Sequence, residues 1–440
     1  MAEDDFQCDR ISRRSHSVVK VTPKPGKRVF RTSLVCICFS AFLVLVPSCG
    51  SKKRTPPQVL TPQLGSATPQ PQVSVPKRQT TESFEENSLT KIGDCPTIRV
   101  LLKENFQSAI LEGSNLGPFL TIKVKGGEIG LFDASKKLLH TGSGFSLKNL
   151  SGGHLKLDGE LYRGVVEAFI NPLQQPVIVN ELCLEEYLRG VVPNELNPNL
   201  FPQTEAIKAQ TVAARTFAFS HLRQNAKRGF DVYMDERSQV YKGVQSEKQL
   251  SNHVVQETRG LVATYRDHPI VAFYSSTCGG LTESYEAIFQ KPAIPYLKGG
   301  VKCPDRSSPY HSWNEHVQIA KVQSRLEKWA NVGRLKKIVS LKKSEAGRIV
   351  KMRFVGEKGE KVLRGQIIRF ALGLKSNWVT DFTENHESSG YLVKLKVEGK
   401  GFGHGVGMCQ IGAVELAKRG WTFQQILKHY YVGTGLKRYW

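Results

Sequence analysis

The residue type best placed to do chemistry is a single acid. Glu195 ends the apolar run Arg189-Gly-Val-Val-Pro-Asn-Glu. The Pro-Asn pair predicts a turn, so its carboxyl is expected on a loop. A carboxyl partly shielded from water holds its proton closer to neutral pH, which is what a general acid needs. The alternative is a surface or helix-capping glutamate. Glu205-Ala-Ile-Lys-Ala-Gln-Thr-Val-Ala-Ala-Arg-Thr-Phe follows and delivers Arg215. Its guanidinium is a cation available nearby, or it forms a structural ion pair with Glu205 or Glu195. Near the C-terminus, Gly401, Gly403, Gly405 and Gly407 surround His404, with Gln410 just beyond. Such glycine density allows close backbone approach and positive φ. The lysine and strand context of a phosphate loop are missing. His404 is either a site residue or a packed histidine in a tight turn.

These side chains need elements to position them. From Glu205 to about Leu222 the spacing predicts a helix, with Ala206, Ala209, Ala213 and Phe217 on one face and Lys208, Thr211 and Arg215 on another. Leu184 to Leu188 reads as a short helical turn before the Glu195 segment. Between Thr97 and Val179, short apolar runs broken by turn residues predict strands. Residues 260–275 predict a strand pair, 315–331 a helix, and 336–363 a twisted hairpin. Ile411 to Arg419 predicts a helix stopped by Gly420, and Thr422 caps a last one with Phe423, Ile426, Leu427 and Tyr430 inward. No internal repeat is visible, and the class is α+β, with mixed sheets and packed helices.

The chain has 440 residues, 40% of them hydrophobic, and a formal charge of +23. That is enough for one large domain or two smaller ones. The charge points to a polyanion, but zinc-finger spacing and aromatic RNA-binding signatures are absent, which argues against nucleic acid. Lys27, Arg28 and Arg31 precede an apolar run from Leu34 to Val46, too short for a membrane span of about 20 residues and suited to a signal peptide. It ends Val46-Pro-Ser-Cys49-Gly. Residues 1–26 are long and polar for a signal, which points to a start downstream of Met1. Residues 50–94, rich in Pro, Gln, Ser and Thr, read as a flexible tether, and 95–440 as the folded body. That body carries Cys95, Cys183, Cys278, Cys303 and Cys409, an odd number, so at least one thiol is free or pairs between chains.

Several motifs in order carry a family resemblance. Gly190-Val-Val-Pro-Asn-Glu-Leu, Lys208-Ala-Gln-Thr-Val-Ala-Ala-Arg-Thr, Tyr274-Ser-Ser-Thr-Cys-Gly-Gly, Thr282-Glu-Ser, Pro295-Tyr-Leu-Lys and Gly403-His-Gly-Val-Gly-Met-Cys-Gln-Ile-Gly-Ala resemble the SpoIID family of sporulation stage II protein D. The resemblance covers about residues 97–436. It implies a glycan-binding cleft and a lytic transglycosylase that cleaves peptidoglycan strands stripped of stem peptides by a partner amidase. Glu195 aligns with the family's catalytic glutamate, and Arg215 with its motif arginine, which the resemblance would have bind sugar oxygens or the lactyl carboxylate of muramic acid. Tyr296, Lys298, His404 and Gln410 are expected to bind substrate. Cys409 stands where serine is common in the family. Some relatives bind zinc; here Cys278 and Cys303 lack closely spaced partners, so a disulfide between them, or two unpaired thiols, is preferred over zinc and no cofactor is expected, with His311 as a conceivable third zinc ligand. The segment ending in Cys49 resembles a lipobox, implying lipidation at Cys49 and an exported, membrane-anchored protein. A non-catalytic amidase enhancer and a hydrolytic muramidase are the alternatives.

Overall fold

The computed structural model describes residues 94–113, 119–148 and 153–440. The signal segment, Cys49 and the tether up to residue 93 lie outside the described residues. No helix among the described residues is long and apolar enough to cross a membrane.

The fold is α+β, as expected. Its helices are α1 (Leu184–Glu195), α2 (Thr204–Ser220), α3 (Gln249–Glu257), α4 (Tyr285–Phe289), α5 (Ile319–Leu326), α6 (Ile367–Leu372), α7 (Gln410–Lys418) and α8 (Phe423–Tyr430). The first half of the body is strand-rich. Thr97–Glu104, Pro176–Cys183, Val165–Ile170 and Gly144–Lys148 pair antiparallel in that order, and Val232–Tyr233 joins Thr97–Glu104 in parallel. A six-stranded sheet built from residues 108–162 contributes to the same apolar core. Alternating burial along Thr97–Glu104 and Val165–Ile170 explains how these sheets bury one face.

Helix α2 is central, and its small residues are the reason. Ala206, Ala209, Ala213, Ala214 and Ala218 are all buried, but so are Gln210, Thr211, Arg215 and Thr216, so the helix is enclosed on nearly every side. Of the residues expected on the other face, Thr211 and Arg215 are buried as well, while Lys208 reaches Glu205 and Glu257. One side of α2 packs into the core of the strand-rich half; the other meets α7, α8 and the strand Leu261–Tyr265. Residues 313–397 hold a core of their own, built from two three-stranded sheets with α5 and α6. There the expected helix over 315–331 is corrected. Ser312–Gln318 is a strand paired antiparallel with Leu392–Lys400, and only Ile319–Leu326 is helical.

Candidate active site

Glu195 is the last residue of α1, not part of a loop. Pro193 lacks the N–H that would bond four residues back, so a break there is the ordinary expectation. The side chain of Asn194 stitches this last turn instead, donating to Gly190 O (2.7 Å) and Ser246 Oγ (3.0 Å). Gly190 is required because Tyr241 lies against it, where a Cβ would come within 2.6 Å of the ring.

The Glu195 carboxyl is part-buried and held from several sides. Oε1 accepts the Val240 N–H at 3.0 Å. Gln410 Nε2, at the start of α7, donates to Glu195 O (3.0 Å) and reaches Oε2 (3.4 Å). Tyr274 adds a side-chain hydrogen bond. The Tyr274 hydroxyl accepts Gln239 Nε2 at 2.8 Å, which leaves its proton for the carboxylate. Gln239 in turn accepts from Tyr187 on α1 at 3.2 Å. Desolvation raises the Glu195 pKa above the ordinary carboxylate value, and the bonds from Val240, Gln410 and Tyr274 pull the other way. Burial wins, leaving an acid that keeps its proton further toward neutral pH.

Of the residues expected at the site, Gln410 meets Glu195 directly. The others are placed differently. Arg215 is fully buried and forms a two-pronged pair with Glu185, Nε to Oε1 at 2.9 Å and Nη2 to Oε2 at 2.8 Å. Its remaining hydrogens go to Val255 O, Thr258 Oγ1 and Leu261 O. Every donor is used inside the protein, which corrects the expected sugar contact. Glu185 also accepts from Gly260 N and the Trp440 indole, so this pair fastens the C-terminus to α1. The Tyr296 hydroxyl accepts the Val271 N–H at 3.0 Å and its ring packs on Tyr265. Lys298 is exposed and lines a separate cavity of about 660 Å³ with Lys342, Lys343 and Arg364, a cavity to which Glu195 does not contribute.

His404 is a packed histidine. Its Nδ1 accepts Val406 N–H at 3.0 Å and the ring hydrogen-bonds the Tyr274 backbone. Burial, with the charge of Arg369 second, pushes its pKa down to about 3, so it is neutral. The glycines around it serve close packing: Gly407, at φ 74°, leaves no room for a Cβ against the Phe273 carbonyl. His404 thus holds the strand Tyr274–Ser275, which pairs in parallel with Met408–Cys409. That pairing brings Tyr274 and Gln410 to the same carboxyl.

Of the two readings of Cys278 and Cys303, the disulfide is corrected and the unpaired thiols are found. Cys278 and Cys303 are free thiols, and the disulfide joins Cys95 to Cys183. Tyr274, Gln239 and the Val240 N–H were not singled out from the sequence. Tyr274 opens a motif that was recognised, and that was the only available signal.

Comparison with known proteins places this geometry. A family model described as Stage II sporulation protein matches residues 174–265, which include α1 with Glu195 and all of α2. Stage II sporulation protein D of Bacillus subtilis is 36% identical over 273 residues, covering 58% of this chain and 75% of that protein. The chain belongs to the SpoIID family. An uncharacterized protein of Brachyspira hyodysenteriae is 32% identical over 285 residues, 64% of this chain and 74% of that one. The amidase enhancer of Bacillus subtilis is 30% identical over 342 residues, but only 46% of its length is covered. A second model, described as a domain of unknown function, matches residues 301–407, the part of this SpoIID chain that contains the separate core.

Proposed function

We propose that this protein is a peptidoglycan lytic transglycosylase with Glu195 as its acid and base. The observation that carries the reading is a desolvated carboxyl with raised pKa, held by Val240, Gln410 and Tyr274 on a family motif. Cleaving a glycosidic bond requires a proton on the leaving oxygen. Protonated Glu195 supplies it. The resulting carboxylate then takes the proton of the muramic acid 6-hydroxyl as that oxygen attacks the anomeric carbon, closing a 1,6-anhydro ring. One carboxyl suffices, because no water has to be activated. The preferred substrate is glycan stripped of stem peptides, in a cleft of which Glu195 is the centre, with 95–440 as the catalytic body.

A second reading has a specific motive, the similarity to a protein named amidase enhancer. There the chain binds glycan and assists an amidase without cleaving. One experiment separates the readings: mass spectrometry of products from amidase-treated glycan, with Glu195→Gln alongside. Anhydro ends that fall about 100-fold or more in the variant support catalysis. Reducing ends indicate a hydrolytic muramidase, and intact strands indicate a binder.

An envelope location fits this substrate, and the disulfide fits an oxidising compartment. Lipidation at Cys49 would tether the body to a membrane. Metabolic labelling with a fatty-acid analogue should mark the protein, and label that persists in Cys49→Ala excludes this anchor.

A further inference from the structure

Three cysteines from separate parts of the chain converge. Cys278 follows the strand Tyr274–Ser275, Cys409 lies on its parallel partner, and Cys303 comes from the loop beyond Tyr296. Their sulfurs all lie within 4.8 Å of one another, and all three residues are buried. A buried thiol alone is an ordinary small apolar group. What surrounds these three is not ordinary apolar packing.

The groups facing the sulfurs are polar: beside the Ser276 and Val301 carbonyls, which accept from Cys409 and Cys303, stand donors and a cation. Cys409 Sγ accepts N–H bonds from Cys278 (3.2 Å) and Gly412 (3.3 Å). The Tyr430 hydroxyl, on a residue 2% exposed, has no conventional hydrogen-bond partner and lies against Cys303. The Arg348 guanidinium is 1% exposed, donates to the Cys278 carbonyl at 2.6 Å, and leaves Nε and Nη1 without hydrogen bonds. Its one carboxylate neighbour is Glu283, at 3.7 Å. Three thiolates so close would repel one another strongly unless a cation sat between them.

We propose that Cys278, Cys303 and Cys409 bind a thiophilic divalent cation of the zinc class, with Asp305 beside them as a further donor. At a metal–sulfur length of about 2.3 Å, tetrahedral geometry puts the sulfurs about 3.8 Å apart, within the 4.8 Å that bounds the observed cluster. Asp305 is fully buried, and its Oδ2 lies 3.4 Å from Cys409 Sγ while accepting Gly279 N–H. Its Oδ1 pairs with His311 Nδ1 at 2.8 Å, so His311 acts through this carboxylate. Burial keeps the free thiols protonated. Each thiol therefore gives up its proton to solvent as its sulfur binds the cation, and nothing is oxidised or reduced. The ion acts as a clamp. It fixes Cys409, whose neighbour Gln410 holds Glu195, to the strand end that carries Tyr274.

The test uses the full chain, stripped of metal under conditions that leave Cys95–Cys183 intact and titrated with zinc or cobalt alone. The expected result is one equivalent bound, protection of the three thiols from alkylation, thiolate-to-cobalt charge-transfer absorption, and a higher melting temperature. Cys303→Ala, in a loop outside the paired strands, should lower affinity by more than about 100-fold, and Asp305→Asn by about 10- to 100-fold. If Cys303→Ala does not fold, Cys409→Ser, which keeps the volume, gives the same comparison. A Cys278–Cys303 disulfide in the isolated protein, no stoichiometric binding, or binding untouched by these changes overturns the site. None of these readouts depends on glycan cleavage, so the metal site and the Glu195 assignment stand or fall separately.

Discussion

At the scale of the residue, the chemistry turns on how one carboxyl is balanced. Burial pushes the Glu195 pKa up, and three hydrogen bonds hold it back. Removing one of them has a definite sign. Tyr274→Phe deletes a bond that favours the carboxylate, so the pKa should rise further. In the proposed reaction the first step needs the protonated form, which then survives to higher pH. The alkaline limb of the kcat/KM profile for anhydro-product formation should therefore move to higher pH in Tyr274→Phe. A limb that stays put or moves down would mean that Tyr274 does not tune this acid. Glu195 and Gln410 were legible because each is a distinctive side chain inside a motif. Val240 was not, because it contributes a backbone N–H that any residue supplies. Tyr274 and Gln410 meet the same carboxyl only through a strand pairing distant in sequence. Arg215 misled because a guanidinium chosen for a buried carboxylate and one chosen for a ligand are the same letter; the deciding partner, Glu185, sits on a different helix.

At the scale of the element, α1 is the part that must be held, since it ends in Glu195. Cys183 is its N-cap residue, and the disulfide ties that cap to Cys95, just before the first strand of the body, across 88 positions. Cross-linking so long a loop restricts the unfolded chain and contributes about 2–4 kcal/mol. Cys95→Ser with Cys183→Ser should lose about that much in urea denaturation. Added reductant should lower the wild-type midpoint and leave the double variant unchanged; equal stability of the two proteins would sink the claim. The helices α2, α7 and α8 were legible nearly to the residue because small-residue spacing, Gly420 and the Thr422–Gln425 capping box are local signals. The end of α1 was not, since Pro193 ordinarily breaks a helix and only Asn194 and Ser246 carry this one past it. Residues 315–318 of the strand Ser312–Gln318 read as helix because the strand's partner lies at 392–400, and tertiary pairing overrides local preference.

At the scale of the whole molecule, charge and substrate have to agree. The chain carries +23, and glycan stripped of stem peptides still bears a lactyl carboxylate on each muramic acid. Exposed lysines along the cavity lined by Lys298, Lys342 and Lys343 show that part of this charge lies at the surface of the folded body. Attraction between a cationic protein and a polyanionic strand is long-ranged and screened, with a Debye length of about 8 Å at physiological salt. Binding of Glu195→Gln to amidase-treated strands should weaken steadily as salt rises. A site that recognised sugars by hydrogen bonds alone would show little such dependence. The stem peptides of intact material would crowd a bound strand at every second sugar. Intact sacculi should therefore be digested more slowly than amidase-treated sacculi at equal salt, read as anhydro ends released per unit time. Salt-insensitive binding would remove the electrostatic argument, and equal digestion of both materials would remove the preference for stripped glycan, leaving Glu195 as the acid of an enzyme with a broader substrate.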